Sequence, residues 1–297
     1  MLVLHRDRQT IDHARFIDLK NFIRNGDLLV LNNSRVLPAR HFSDDGRIEF
    51  LFLQQLTPHR WKVLVKPGRR FRAGVAVSIK GVRVEAGKYF CDGSREILLS
   101  EEVNFQRGGL MPLPPYITRS NGTEDETRYQ TVFAQSDGSL AAPTAGLHFT
   151  PEILAATQHV FVTLHVGTAT FRPVKTDNIS QHQMHPERFC VSDEAARAIK
   201  NAARRVAVGT TTVRILESIY RQFGEIRAIE SETNIFIYPP FQFRAADVLL
   251  TNFHLPRSTL LMLVSAFAGR DLVLRAYEEA VRARYRFFSY GDCMLIF

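Results

Sequence analysis

The strongest constraint on the fold is an alternation of strand-like and helix-like segments from about residue 140 to the end of the chain. Short apolar runs predict strands at residues 161–166, 206–208, 235–238, 248–251 and 294–297. Longer periodic segments predict helices at residues 151–157, 193–204, 213–223, 259–268 and 272–285. Such alternation predicts an α/β fold, with a mainly parallel sheet covered by helices.

The region from about residue 41 to 110 has a different pattern. Residues 61–66, 75–79 and 82–84 are short runs in which apolar side chains alternate with polar or small ones, and glycines separate the runs. This pattern is typical of a small antiparallel β-barrel. We therefore expect a barrel domain at residues 41–116, inserted into an α/β domain formed by residues 1–40 and 117–297.

The N-terminal part supplies further elements of the α/β domain. We expect short strands at residues 2–4 and 28–31, separated by a helix at residues 18–24 that Asp18 caps. No apolar run reaches the roughly 18 residues needed to cross a bilayer. The first residues lack the apolar core of a signal peptide. We therefore expect a cytoplasmic protein without membrane contact.

Charge and cysteine content restrict the range of possible functions less than the pattern of strands and helices restricts the fold. The net charge of +8 suits a polyanionic partner such as RNA, but many basic proteins bind no nucleic acid. The three cysteines do not have the spacing of metal ligands or of a redox pair. Neither observation identifies a chemistry by itself.

Four segments rich in Gly, Thr, His and Pro adjoin the predicted strands, at residues 142–150, 163–171, 207–214 and 250–256. Three of them follow the carboxyl end of a strand, where open α/β sheets bind ligands. In one, Gly209, Thr210 and Thr211 join a strand to a helix whose free amides and dipole can hold a carboxylate or phosphate. Simple helix capping is the alternative, and neither the Lys of a phosphate-binding loop nor a dinucleotide fingerprint is present.

Histidines lie in or near the same segments, namely His148, His165, His182, His185 and His254. Imidazole titrates near neutral pH, so proton transfer is one hypothesis and structural hydrogen bonding is the other. His182 and His185 have the spacing of two ligands on one helical face. No carboxylate or cysteine completes a familiar ligand set, so we predict no metal site.

One turn between the predicted barrel strands is strongly basic. Lys66, Arg69, Arg70 and Arg72 lie within seven residues of sequence. A contact with a phosphate backbone and a solvated hairpin are both compatible with this pattern. We name Arg69, Arg70 and Arg72 as the candidate RNA-binding residues.

Nine longer stretches take the interpretation further. They are residues 28–40 (LLVLNNSRVLPAR), 111–117 (MPLPPYI), 129–134 (YQTVFA), 141–150 (AAPTAGLHFT), 163–174 (TLHVGTATFRPV), 182–187 (HQMHPE), 207–218 (AVGTTTVRILES), 251–267 (TNFHLPRSTLLMLVSAF) and 285–296 (YRFFSYGDCMLI). In this order they resemble the signature segments of the S-adenosylmethionine:tRNA ribosyltransferase-isomerase family of queuosine biosynthesis.

The resemblance implies a reaction and its partners. The family transfers the ribosyl part of S-adenosylmethionine to 7-aminomethyl-7-deazaguanine at the wobble position of tRNA with a GUN anticodon. The ring is isomerised to give epoxyqueuosine, and adenine and methionine leave. The resemblance thus implies a transferase and isomerase that consumes S-adenosylmethionine as a substrate and uses no cofactor. We further expect a monomer.

The resemblance also suggests where the chemistry lies. We expect His165 or His148 to carry protons and Asp292 to meet the sulfonium or the amine. The expected substrate-binding residues are Thr144, Gly146, Gly167, Gly209, Thr210, Thr211, Asn252 and His254. Of these, Thr210 and Thr211 are expected to hold the methionine carboxylate or the ribose, and Asn252 and His254 to line the sugar pocket.

Two alternatives remain at this point. An RNA methyltransferase would use the same donor, although the Gly-rich loop expected after its first strand is not evident. The family normally opens with an acidic-Tyr-x-Leu-Pro segment and an Arg-Asp pair, and this sequence begins after them. A catalytically inactive RNA-binding protein is therefore the second alternative.

Overall fold

The structure is a computed structural model that describes residues 1–119, 121–167 and 178–297. The later part of the stretch 163–174 lies outside the described residues. The chain forms two compact units, Met1–Arg35 with Gln130–Phe297, and Val36–Tyr129. We call them the α/β unit and the barrel unit, and the predicted barrel boundaries of 41 and 116 fall inside the second.

The described strands, in chain order, are β1 Leu2–His5, β2 Thr10–His13, β3 Asp27–Asn32, β4 Ser34–Val36, β5 Arg40–Phe42, β6 Glu49–Thr57, β7 Arg60–Lys66, β8 Ala76–Ile79, β9 Val82–Tyr89, β10 Arg95–Leu99, β11 Ser136–Ser139, β12 His159–Leu164, β13 Glu187–Val191, β14 Arg204–Val208, β15 Ile229–Thr233, β16 Val248–Asn252 and β17 Cys293–Ile296. The described α-helices are α1 Asp125–Arg128, α2 Pro151–Ala155, α3 Asp193–Asn201, α4 Thr210–Phe223, α5 Thr259–Ala268 and α6 Arg270–Arg282.

The α/β unit is built on a nine-stranded mixed sheet with the order β15-β13-β12-β3-β14-β16-β17-β1-β2. The four central strands, β12, β3, β14 and β16, run parallel to one another. Each contains a run of three or four apolar residues, and β3 and β16 are buried along their whole length, as expected for strands covered on both faces. Towards the margins the sheet includes antiparallel pairs, such as β12 with β13 and β16 with β17. The prediction of a parallel sheet therefore holds for its centre.

Helices α3 and α5 of the α/β unit begin where the sequence supplies an oxygen-bearing side chain. The Ser192 hydroxyl accepts the backbone N–H of Ala195 at the start of α3, and Ser258 accepts that of Leu261 at the start of α5. α4 ends at Gly224, whose φ of 75° is the left-handed conformation that glycine adopts without strain.

The barrel unit contains a six-stranded antiparallel sheet with the order β5-β6-β7-β10-β9-β8. The backbone N–H of Asp44, just after β5, donates to the carbonyl of Ser78 in β8 at 2.8 Å, so the two edge strands approach each other. The sheet is therefore barrel-like and nearly closed. Its interior is aromatic, with Phe50, Phe52 and Trp61 fully buried.

Two local predictions were wrong. Residues 235–238 are not a strand, because Ile235 and Ile237 enter the core from an irregular segment. The strand is Ile229–Thr233, whose polar sequence fits its position at the margin of the sheet. The expected helix at residues 18–24 is instead a short 3₁₀ turn, Phe16–Asn21. There Asp18 lies inside the turn and accepts the backbone N–H of Arg15.

Within the described ranges, no helix is long and apolar enough to cross a membrane.

Candidate active site

The carboxyl ends of the four parallel strands form one edge of the central sheet. His165 follows β12 and Gly209 follows β14, and Asn252 is the last residue of β16. Because β17 runs antiparallel to β16 and pairs Cys293 with Asn252, Asp292 lies at this edge as well. Parallel topology thus collects predicted site residues that are distant in sequence. We call this region the carboxyl edge.

His148 and Asn252 are in contact at the carboxyl edge. The amide nitrogen Nδ2 of Asn252 donates to the carbonyl of Phe288 at 3.1 Å and lies 3.3 Å from Nε2 of His148. A nitrogen that donates to a carbonyl must carry the protons, so Nε2 of His148 is the acceptor in this pair. The arrangement selects the neutral imidazole with its proton on Nδ1.

Burial also keeps His148 neutral. It lowers the pKa of His148 to about 4, although the Asp292 carboxylate acts in the opposite direction. The ring lies 5.2 Å from the ring of Phe16. At neutral pH this imidazole is therefore unprotonated, and Nε2 is the nitrogen that can take up a proton, in place of the hydrogen bond from Asn252.

The segment 286–292 holds Asp292 next to this pair. The carboxylate of Asp292 accepts the backbone N–H of Arg286 at 2.7 Å. A Cβ at Gly291 would lie 2.4 Å from the carbonyl oxygen of Arg286, so this close turn requires glycine. Phe288 has a φ of 71°, a strained conformation for an aromatic residue, and its carbonyl orients Asn252.

The amino end of α4 lies at the carboxyl edge. Gly209 precedes the helix with a φ of 91° and offers no side-chain cap. The amides of Thr210 and Thr211 in the first turn thus have no partner within the helix. The hydroxyl of Thr212 donates to the carbonyl of Val208 at 2.9 Å, whereas the buried hydroxyl of Thr211 has no partner among the described residues. The structure therefore separates one structural threonine from one with an unused hydroxyl.

The 3₁₀ turn Thr144–His148 brings two more predicted residues to this region. A Cβ at Gly146 would lie 2.7 Å from the ring of Phe133, so only glycine fits there. A Cβ at Gly209 would lie 3.6 Å from that of Ala145. The turn that carries Thr144, Gly146 and His148 thus packs beside the start of α4.

His165 and Gly167 form a second group, towards the β13 side of the sheet. The backbone N–H of His165 donates to the carbonyl of Arg188, and the buried Nδ1 of its ring has no partner in the described parts of the chain. Burial lowers the pKa of His165, and the Arg188 guanidinium lowers it further. No described contact joins His165 to His148.

His254 lies at the carboxyl edge and forms hydrogen bonds with neighbouring residues there. Its Nε2 is 2.8 Å from the Thr251 hydroxyl, and burial lowers its pKa to about 4. Its backbone N–H donates to the hydroxyl of Tyr277. Nε2 of the ring and the backbone N–H of His254 thus both have partners within the chain.

The sequence interpretation did not assign roles to three buried polar residues near the site. Asn32 uses both ends of its amide on the backbone of Leu164, which fixes β3 against β12. Glu187 accepts the backbone N–H of Gly167 and forms a buried ion pair with Arg214 of α4. All three lie in stretches that resemble the family's signature segments, and this resemblance is the sequence signal that could have identified them.

A cavity of about 680 Å³ lies at the opposite edge of the sheet. Its lining includes Arg6 and Arg204, and both are hydrogen-bonded within the protein itself. Arg6 donates to the carbonyls of Phe297, Phe267 and Asp247, and Arg204 pairs with Asp27. We therefore place the candidate site at the carboxyl edge, where buried polar atoms of Thr211, Asn252 and His165 have no partner in the part of the chain that the structure describes.

The candidate RNA-binding residues lie in the barrel unit. Arg69 and Arg70 are in the short 3₁₀ turn Gly68–Arg70, and Arg72 follows the buried Phe71. All three arginines are exposed. Across the described residues, no carboxylate lies within ion-pair distance of them, and no three His, Cys, Asp or Glu side chains are grouped as metal ligands.

The fold is that of an α/β protein with a candidate site at the carboxyl edge and, within its sequence, a barrel-like unit at Val36–Tyr129. A family described as queuosine biosynthesis protein matches residues 1–296. The chain belongs to this family.

Its relatives carry a specific name. A Symbiobacterium thermophilum protein, 49% identical over 318 residues, is named S-adenosylmethionine:tRNA ribosyltransferase-isomerase. So is a Natranaerobius thermophilus protein that is 45% identical over 316 residues. Each alignment covers 100% of this chain and 92% of the relative. A crystal structure of the S-adenosylmethionine tRNA ribosyltransferase of Thermotoga maritima is 38% identical, with a TM-score of 0.55, and the match covers 100% of this chain and 91% of that one.

Proposed function

We propose that this chain is an S-adenosylmethionine:tRNA ribosyltransferase-isomerase. It transfers the ribosyl part of the donor to 7-aminomethyl-7-deazaguanine in the wobble position of tRNA with a GUN anticodon and isomerises it, giving epoxyqueuosine. Adenine and methionine are released. The donor is consumed as a substrate without a further cofactor, and the enzyme acts as a cytoplasmic monomer. Family membership and the relatives' names support this activity over a methyltransferase or an inactive RNA-binding protein.

One observation supports the carboxyl edge as the site of this reaction. Three predicted residues, Thr211, Asn252 and His165, carry buried polar atoms without a partner among the described residues. Asn252 ends a parallel strand, His165 directly follows one, and Thr211 lies in the first turn of the helix after one. Burying an unpaired polar group costs free energy, so such groups persist where a ligand satisfies them. A donor with many polar atoms supplies the missing partners.

The chemistry assigns roles to the proposed residues. The positive sulfonium acidifies the hydrogens on the adjacent C5′ carbon, and a neutral imidazole such as His148 accepts the proton. The free amides of Thr210 and Thr211 bind the methionine carboxylate, where the helix dipole favours negative charge. Asp292 stabilises the positive sulfonium or the incoming amine. His165, the second candidate for proton transfer, serves the departing adenine.

The test is release of free adenine. The purified chain is incubated with S-adenosylmethionine and tRNA that carries the aminomethyl base, and products are separated by chromatography. The proposal requires adenine and methionine in equal amounts, dependent on that tRNA. Release of S-adenosylhomocysteine would instead identify a methyltransferase, and the absence of any product would identify a binding protein.

The exposed arginines of the barrel unit support a surface for the tRNA backbone. Each phosphate neutralised by an arginine releases counterions, so tRNA affinity is expected to fall steeply with salt. Changing Arg69, Arg70 and Arg72 together to Ala is expected to weaken tRNA binding and to lower the salt slope by up to about one unit per lost contact. Donor affinity is the control and should not change. An unaltered salt slope would show that the turn is only solvated.

A further inference from the structure

Tyr89 is an unusually exposed aromatic side chain in the barrel unit. It is the last residue of β9, and 54% of its surface is accessible. Its cross-strand partner in β10 is Arg95. The guanidinium of Arg95 lies 4.5 Å from the centre of the Tyr89 ring, so it covers one face of the ring. The exposed fraction therefore belongs to the rest of the ring, including its other face.

Arg95 also holds the arginine-rich turn. Its guanidinium donates to the carbonyl of Gly68 at 3.3 Å and to that of Phe71. A Cβ on Gly68 would lie 2.8 Å from Nη2 of Arg95, so the glycine allows this approach. One buried side chain thus fixes Tyr89 and the turn that carries Arg69 and Arg70 in a single arrangement.

This part of the barrel unit has a surplus of positive charge. The neighbouring acids are already paired, since Asp92 lies 2.7 Å from Lys62 and Glu96 lies 3.6 Å from Arg60. In the described part of the chain, no carboxylate lies within ion-pair distance of Arg95, although only 6% of its surface is accessible. An open aromatic ring beside uncompensated cations is the combination that single-stranded nucleic acids bind.

We infer that Tyr89 is a stacking platform for an unpaired base of the RNA substrate, while Arg69, Arg70 and Arg72 contact the adjoining phosphates. This inference rests on the proposed function and deepens it, because it assigns the RNA surface a base-contacting residue. Loops of RNA expose unstacked bases, and proteins recognise them by stacking on aromatic rings. Stacking needs no particular base, so Tyr89 contributes affinity and orientation.

The experiment compares four full-length variants in tRNA binding at several salt concentrations. Tyr89→Ala is expected to weaken binding roughly 5- to 100-fold, the range for loss of one stacked base. Its salt slope should equal that of the parent, because no phosphate contact is lost. Tyr89→Phe should bind like the parent. Tyr89→Leu, which keeps an apolar cover over Arg95 without an aromatic face, should behave like Tyr89→Ala.

Phe42→Ala is the matched control. Phe42 is 39% exposed in the same unit, and the Arg40 guanidinium lies 5.5 Å from its ring. Arg40, however, is neutralised by Glu49 at 2.8 Å. We therefore expect no change in tRNA affinity for Phe42→Ala.

The outcomes separate this inference from the proposed function. If the parent releases adenine and Tyr89→Leu, with an unchanged melting temperature, binds tRNA as tightly as the parent, stacking on Tyr89 is wrong and the enzymatic activity stands. A weakening shared equally by Phe42→Ala, or a changed salt slope in Tyr89→Ala, also overturns the inference. If the parent neither binds tRNA nor releases adenine, both proposals fail.

Discussion

Among the described residues, the α/β unit and the barrel unit each bury one guanidinium group, and they compensate its charge differently. Arg214 of the α/β unit, 4% exposed, pairs with the buried carboxylate of Glu187. Arg95 of the barrel unit, 6% exposed, has carbonyls and aromatic rings as its described neighbours and no carboxylate among them. A guanidinium does not lose its proton in a protein. The charge of Arg214 is therefore cancelled locally, and that of Arg95 adds to the potential of the surface above it.

This difference in charge compensation distinguishes a group that stabilises the fold from one that is available to a ligand. The Glu187–Arg214 pair connects β13 to α4 and also holds Gly167, so it stabilises the backbone that approaches the carboxyl edge. Arg95 connects a turn to a hairpin and leaves net positive charge near exposed arginines. A buried charge that is paired within the chain supports the fold, whereas one without a counter-charge is available to a ligand of opposite charge.

The largest predicted effect is the loss of stability when the Glu187–Arg214 ion pair is broken. Glu187→Gln keeps an oxygen to accept the N–H of Gly167 but leaves the Arg214 charge buried and unpaired. We expect the free energy of unfolding in urea to fall by about 3–5 kcal/mol. Glu230→Gln is the control, because Glu230 pairs with Arg188 on the surface, where an ion pair contributes about 0–1 kcal/mol. Equal losses in the two variants would show that burial of the Glu187–Arg214 pair has no consequence.

The corresponding change in the barrel unit is expected to cost less. Arg95→Met removes the charge and leaves no unpaired carboxylate behind, so the loss is confined to the carbonyls of Gly68 and Phe71. We expect about 1–3 kcal/mol from the urea unfolding curve, together with weaker tRNA binding. If Arg95→Met destabilises the protein more than Glu187→Gln does, the two guanidinium groups do not differ in how their charge is compensated.

The sequence predicted the parallel centre of the α/β sheet because its strands are continuous apolar runs. It failed at residues 229–233, because a polar marginal strand has no hydrophobic periodicity. The loops at the carboxyl edge were predictable from their position after strands. The pairing of Asn252 with His148 was not, since it depends on a contact between residues 104 positions apart. The role of Arg95 was not predictable either, because Arg95 and Tyr89 become neighbours only when β9 and β10 pair.

A buried imidazole, unlike a guanidinium, can avoid an uncompensated charge by staying neutral, and His41 of the barrel unit does so. It is 4% exposed, its Nε2 lies 2.8 Å from the carbonyl of Phe105, and burial lowers its pKa to about 4. The unfolded chain binds a proton near pH 6.5 and the folded one only near pH 4. The stability from neutral His41 is therefore complete above pH 6.5 and is lost as the pH falls towards 4.

His41→Gln tests this difference, because glutamine can donate to Phe105 but cannot titrate. We expect the variant to lose about 2 kcal/mol less than the parent between pH 7 and pH 4.5 in urea unfolding. His159→Gln is the control, since His159 is only partly buried. An identical loss in His41→Gln and in the parent would mean that His41 is already protonated or already accessible in the folded protein.

The smallest predicted effect applies the same comparison to two adjacent hydroxyls at the start of α4. Thr212 donates to the carbonyl of Val208, whereas the buried hydroxyl of Thr211 has no partner among the described residues. Thr212→Val should lower the free energy of unfolding by about 1 kcal/mol, the net value of one hydrogen bond. Thr211→Val removes a desolvated hydroxyl and should leave stability unchanged or raise it slightly.

The affinity for S-adenosylmethionine, measured by calorimetry, should depend on Thr211 and not on Thr212. Thr211→Val should weaken it roughly 3- to 10-fold, and Thr212→Val should leave it nearly unchanged. Equal stability losses in the two variants, with unaltered donor affinity, would assign Thr211 to the fold and remove it from the site.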